Sequence, residues 1–392
     1  MDRHMKPKSA FIALSEPCLR GNEWRYVKEC LDTGWVSSAG KYVDLFEKTV
    51  AKHTGSAYGI ACINGTSALH TALMVSGVNA DDEVIVPALT FAAPANAVRY
   101  CGAYPVFIDA EEDYFQIDPQ KLKDFLTKEC VYRNKKLVNK HTKRHVKAII
   151  AVHLLGQPCD MDVIISLARR FNLVVIEDAA ESIGAKYKGR KVGGIGDIGC
   201  LSFNGNKIIT AGGGGLLVFK RKSWADYARY LTTQAKDDPI EYIHQEIGYN
   251  YRLTNVQAAL GLAQFECLSQ FIEAKRQIAR RYEQGLRDVA GLVLPAQAAW
   301  ADGYHWLYTV RVQAKKFGCN RQQLLASLAQ QGIQTRPLWH PLPDLKPFRS
   351  CYSYHTEIAR RLYREALSLP STVSLTAAQQ QRVIKALCTS NT

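Results

Sequence analysis

A chain of 392 residues, 47% hydrophobic and 22% charged, is long enough to bury a large core and is neither disordered nor low-complexity in composition. No apolar run reaches the length of a membrane span and the opening residues lack the continuous apolar stretch of a secretory signal, which points to a cytoplasmic protein with no membrane partner. Much of the net charge of +14 is local, with ten Lys/Arg against Asp124 and Glu129 between Lys121 and Lys147; that stretch lacks the interleaved aromatics of a nucleic-acid surface, so no nucleic-acid partner is expected, whereas steering of a polyanionic small substrate is.

In chain order, residues 1–30 show no strand of a main sheet and are expected to pack at the seam between two domains. From about residue 57 come seven short apolar runs rich in Val and Ile: "AYGIACI", "DEVIVPA", "YPVFIDA", "VKAIIAVHL", "NLVVIEDA", "IGCLSF" and "GGLLVF". Runs of this kind are strands covered on both faces. Amphipathic stretches such as "SALHTALMVSG" and "DMDVIISLARRFN" lie between them as crossover helices, which predicts an α/β domain over 31–264 with a mostly parallel seven-stranded sheet. The glycine link between the last two runs allows one break in the parallel order. The basic stretch "RNKKLVNKHTKRHVK" reads as a solvated hairpin. After a long helix the pattern becomes mixed, predicting a smaller C-terminal α/β domain over 265–392. The eleven cysteines are scattered with no C-x-x-C pair, so they read as reduced thiols, Cys62 and Cys200 as small hydrophobes in strands, and no metal site is expected.

Ligands of such sheets bind beyond the carboxyl ends of the strands, which selects three segments. "INGTSALHTAL" leaves a strand at Asn64 and enters a helix through Gly65, Thr66 and Ser67, reading either as a phosphate seat or as a plain N-cap. "LVVIEDAAESIGA" ends a buried strand at Glu177 and Asp178, where a carboxylate needs a cationic partner; a satisfied structural Asp or a metal ligand is the alternative. "DIGCLSFNGNKIITAGGGG" places Ser202 before Lys207 and four glycines after it. The order excludes a P-loop, in which the lysine follows the glycines and precedes Ser or Thr. A lysine acting as a nucleophile must lose its proton, which a partly desolvated pocket promotes. A phosphate seat, a carboxylate for a protonated ring nitrogen and an activatable lysine together describe pyridoxal 5′-phosphate (PLP).

With "VPALTFAAPANAV", "VHLLGQPCDMD", "GYNYRLTNVQAALG" and "LSLPSTVSLT" added, nearly the whole chain resembles the DegT/DnrJ/EryC1/StrS family of PLP-dependent nucleotide-sugar aminotransferases, of fold type I like aspartate aminotransferase. The resemblance implies Lys207 as the Schiff-base lysine and Asp178 as the ring-nitrogen partner. It implies Gly65, Thr66, Ser67 and Ser202 at the phosphate, Phe91 stacked on the pyridine face, and Glu181 near the cofactor. Asn250 resembles a residue that reaches the neighbouring subunit's cofactor phosphate, which implies a homodimer with composite sites. Arg252 reads either as an anion contact or as an interface ion pair, and His153, Trp339 and His340 are further candidate substrate contacts. Four glycines at 212–215 stand where many members have G-E-G-G. With "GNEWRYVKECLDTGWVSSAGKYV" and "TRPLWHPLP", this form resembles the branch that aminates C4 of nucleotide-linked 4-keto-6-deoxy-N-acetylhexosamines, with L-glutamate as donor, for bacillosamine- and legionaminic-acid-type glycans. Amination at C3 or of a non-acetylated 4-keto sugar is the alternative. A sugar dehydratase of this family would carry histidine at Lys207, and an inactive sensor would have no need of the intact set.

Overall fold

The seven apolar runs form seven strands of one sheet. The computed structural model describes residues 11–238 and 240–390. The strands are β1 (Tyr58–Cys62), β2 (Glu83–Pro87), β3 (Tyr104–Ile108), β4 (His145–Val152), β5 (Val174–Asp178), β6 (Ile198–Ser202) and β7 (Gly215–Phe219). Their order across the sheet is β1-β7-β6-β5-β4-β2-β3. The pairs β6–β5, β5–β4, β4–β2 and β2–β3 are parallel, and only β7, between β1 and β6, runs against both neighbours. Val84, Ile85, Val86, Ile149, Ile150 and Ile176 are fully buried, the reason these strands read as continuous apolar runs.

The helices include α1 (Glu23–Asp32), α2 (Lys41–Thr54), α3 (Gly65–Val75), α4 (Asn255–Glu266) and α5 (Leu268–Leu286), of which α3 borders the site. The break at β7 follows from the link that carries Lys207. Residues 203–214 double back, with Phe203 N donating to Gly214 O and Ala211 N to Phe203 O. Gly212 and Gly214 have φ of 75° and 109°, a region open to glycine at little cost. A Cβ on Gly215 would lie 2.3 Å from Asn64 O, so this glycine lets β7 press against the β1–α3 turn. The glycine run therefore serves the reversal that sets Lys207 above the sheet.

A second core gathers around β8 (Leu292–Val293), β9 (Tyr308–Val312), β10 (Arg336–Pro337) and β11 (Ala366–Leu369), which form a sheet ordered β8-β9-β11-β10. The helix α5 belongs to both cores, burying Leu268 and Phe271 in the first and Ile278, Tyr282 and Leu286 in the second. Residues 11–18 also bridge them: Ile12 pairs with Ile333, and Cys18 is buried in the first core. Residues 1–10 of the N-terminal segment lie outside the described residues.

The single boundary expected near residue 265 is not what the packing shows. Leu338, Leu342, Phe348, Ala359 and Leu362 return to the first core, where Ser353–Tyr354 pairs in parallel with β3. This covers an open sheet edge. Asp109, just past β3, fixes the return by accepting the N–H groups of Ile358 and Ala359 at 3.0 and 2.8 Å. The basic stretch does hold a hairpin, Cys130–Arg133 with Lys136–Asn139, laid against β4. All eleven cysteines are free thiols, and no helix among the described residues is long and apolar enough to cross a membrane.

Candidate active site

The carboxyl ends of β5 and β6, the N-terminus of α3 and the link from β6 to β7 converge on a cavity of about 290 Å³, with Thr66, Asp178, Glu181, Ser202 and Lys207 in its wall. Phe91, Trp306 and Trp339 supply aromatic surfaces.

One end is built to take an anion. Asn64 caps α3 by accepting Ser67 N at 2.8 Å, and Ser67 Oγ reciprocates by accepting Asn64 N at 3.2 Å. Ser67 is thus consumed by the cap and is buried outside the cavity wall, which corrects its expected place at the phosphate. Gly65 and Thr66 keep their first-turn N–H groups, and among the described residues the hydroxyls of Thr66 and Ser202 form no hydrogen bond. A Cβ on Gly65 would sit 2.9 Å from Ser202 Cβ, so only glycine lets the helix terminus and Ser202 close on one point. Such a cluster of donors on a positive helix end favours a phosphate.

The other end is acidic. Asp178 and Glu181 are both buried, and burial pushes both carboxyls above their ordinary range against the pull of Lys207. Glu181 Oε2 accepts Leu155 N at 2.9 Å, and its Oε1 lies 3.4 Å from Lys207 Nζ. Asp178 Oδ1 accepts Ala180 N at 3.1 Å, and its other oxygen has no hydrogen-bond partner among the described residues. Two carboxylates face a single amine, so the charge balance calls for one more cation. A pyridinium nitrogen at Asp178 and a phosphate at Gly65, Thr66 and Ser202 meet both demands, and the residues present fit PLP. Phe91 is 56% exposed and offers an open ring in the cavity wall.

Other expected contacts lie elsewhere. His153 is fully buried beneath the site: its Nε2 donates to Glu177 at 2.9 Å and its Nδ1 accepts Cys159 N at 3.1 Å. Both ring nitrogens are committed, and His153 is not in the cavity wall. Glu177, although burial raises it, is held below the ordinary carboxylate range by His153 and by the N–H groups of Gly193 and Gly196. Trp339 reaches the cavity, while His340 is exposed and packs 4.7 Å from the Tyr363 ring. Asn250 and Arg252 are exposed and outside their own chain's cavity; Arg252 borders a separate hollow of about 700 Å³ with Trp35, Lys41 and Asn255.

Trp306 is the residue that sequence reasoning missed. Its ring centre lies 4.3 Å from Lys207 Nζ, and its Nε1 donates to Asn206 O at 2.9 Å. It precedes β9 of the second core and so follows no strand of the main sheet. A lone aromatic there reads as core.

The model of the DegT/DnrJ/EryC1/StrS aminotransferase family matches residues 17–388. Over 378 residues the chain is 42% identical to a GDP-perosamine synthase of Caulobacter vibrioides, covering 96% of this chain and 97% of that one. A DegT/DnrJ/EryC1/StrS aminotransferase from Brucella abortus has the same fold, with a TM-score of 0.85 at 30% identity over 93% of this chain and 94% of that one. The PLP form of Spr1654 from Streptococcus pneumoniae also shares it, with a TM-score of 0.86 at 24% identity over 97% of this chain and 98% of that one. Matched over almost its whole length and carrying a cleft whose donors suit the cofactor, the chain belongs to the DegT/DnrJ/EryC1/StrS aminotransferase family and is a PLP-dependent aminotransferase of fold type I.

Proposed function

We propose that the protein transfers the amino group of L-glutamate, released as 2-oxoglutarate, to C4 of a nucleotide-linked 4-keto-6-deoxyhexose used in surface-glycan synthesis. The observation that carries this reading is Lys207 Nζ, set at 3.4 Å from Glu181 and facing Asp178 in a cleft open to ligand. Bound there, PLP supplies an aldehyde for an amine and a ring that withdraws electrons. Gly65, Thr66 and Ser202 would hold its phosphate, and Asp178 would keep a proton on the ring nitrogen. Lys207 Nζ takes the proton from the donor's α-carbon and returns one at the sugar carbon. Trp306 and Trp339 present apolar surface to the site, and Phe91 offers it an exposed ring.

Two readings of the sugar are supported by different observations. The four-glycine run and "TRPLWHPLP" resemble the branch acting on N-acetylhexosamines. The 42% identity to a GDP-perosamine synthase favours a GDP-linked sugar, for which the non-acetylated 4-keto sugar is the second reading. Offering the enzyme L-glutamate with GDP- and UDP-linked 4-keto sugars, acetylated and not, and identifying products by mass and NMR decides between them. Amination at C3 only, or loss of a hydroxyl without gain of nitrogen, would overturn the C4 assignment.

The active form is a homodimer with composite sites. In support, Asn250 and Arg252 are exposed away from their own cavity, and the neighbouring Ile240, Tyr242, Ile243 and Ile247 are apolar and exposed. If Asn250 serves the partner's cofactor, Lys207→Ala and Asn250→Ala subunits rescue one another, because one site of each mixed dimer carries neither change. At random pairing activity recovers to about a quarter of wild type by site count. No recovery despite demonstrated subunit exchange would place Asn250 within its own subunit's chemistry.

A further inference from the structure

Lys275, midway along α5, is 2% exposed, and no described carboxylate pairs with it. A lysine so placed is costly unless its head group has dedicated acceptors. It has two: Nζ donates to Trp306 O at 2.7 Å and to Ser371 O. Burial pushes the amine down to about 7, and a neutral amine carries two N–H groups for these two carbonyls.

One carbonyl belongs to Trp306, which lines the cavity, and the other to Ser371, just past a strand of the second core. Trp306 stands just before β9 and Ser371 just after β11, and Ser371 Oγ also accepts Tyr308 N at 2.9 Å. Trp306 is therefore gripped at three points. Its N–H donates to Leu155 O at 2.9 Å, on the turn whose own N–H is held by Glu181. Its indole N–H is held by Asn206 O, and its carbonyl by Lys275. The first two grips come from loops around the cavity, and the third comes from the helix shared by both cores.

We propose that Lys275 is a positioning residue of the transamination site, one that holds Trp306 from behind and so sets the indole face against the Lys207 amine. The proposal rests on Lys207 being the reactive amine. A cation beside an indole face gains from the ring's negative quadrupole, so the placement of Trp306 gives the Lys207 amine a second contact beside the one it has with Glu181. Lys275 touches neither cofactor nor substrate and acts only through Trp306.

The test is a double-mutant cycle on the full-length protein freed of PLP, reading the pH midpoint of Lys207 modification by reductive methylation, with peptide mass spectrometry to isolate Lys207. Lys275→Met removes both donors at similar length and moves the Lys207 midpoint to lower pH, by a change of roughly two- to fivefold in the protonation constant, the size of a cation–π contact. Trp306→Leu does the same, and Lys275→Met adds nothing in the Trp306→Leu background. Lys275→Gln, which keeps two N–H donors on a neutral head, is the second variant if Lys275→Met fails to fold, and it shifts the midpoint less than Trp306→Leu does. An unchanged midpoint in a folded Lys275→Met protein, additive shifts in the double variant, or a Lys275→Gln shift equal to that of Trp306→Leu would overturn the proposal. The readout needs no substrate, so such a result leaves the proposed function standing; if Lys207 instead proves dispensable for turnover, it is that function that fails.

Discussion

Lys207→Ala is expected to lose transamination by about three orders of magnitude or more, since in the proposed function one side chain supplies both the amine that condenses with the cofactor and the proton carrier. The fold persists, because Lys207 lies on the link between β6 and β7 and is not part of either core. The substitution leaves Asp178 and Glu181 buried without their nearby amine, so both carboxyls rise further above their ordinary range. A carboxyl raised in the folded state makes stability fall as pH climbs from the unfolded value toward the folded one. The variant's melting temperature, without cofactor, therefore drops below wild type by more at pH 7 than at pH 4. Turnover near wild type in Lys207→Ala would remove the lysine from the chemistry.

Asp178→Asn gives the second large effect, with opposite consequences for activity and stability. An amide cannot hold a proton on the ring nitrogen, and breaking a buried ion pair costs about 3–5 kcal/mol, so kcat falls on the order of 10²- to 10⁴-fold. In the cofactor-free protein Asp178 is a buried carboxyl raised by desolvation, so it stabilises nothing at neutral pH. The sign is that of an acid with a raised value: stability is lost as pH rises above about 3.8, its ordinary value. Asp178→Asn abolishes that loss, and the cofactor-free variant melts higher than wild type at pH 7. A structural aspartate would behave otherwise, with lower melting and unchanged kinetics.

The main sheet was legible because of its burial. Each of the seven strands is covered on both faces, so its apolar run stands out without any alternation to decode, and Lys207, Asp178, Thr66 and Ser202 follow from the rule that ligands gather at strand ends. Strand order was not legible. That β7 inserts between β1 and β6 depends on backbone contacts such as Gly215 against Asn64, which no periodicity reports. The return of residues 338–362 to the first core escaped because its strand is two residues long and its anchor, Asp109, is 249 positions from Ile358. Ser67 and His153 stood in motifs beside true cavity residues, but the capping bond of one and the two ring hydrogen bonds of the other turn them inward. Trp306 and Lys275 act across the two cores, a relation that exists only once α5 has packed against both.

The most direct test of the account follows the nitrogen. Wild-type protein is supplied with PLP, L-glutamate labelled with ¹⁵N and a nucleotide-linked 4-keto-6-deoxy sugar, and the product is read by NMR while 2-oxoglutarate is assayed in the same tube. The expected result is ¹⁵N bonded to C4 of the sugar, with one 2-oxoglutarate formed for each amino sugar and neither formed by Lys207→Ala. An unlabelled sugar, or label carried equally well by Lys207→Ala, would contradict it.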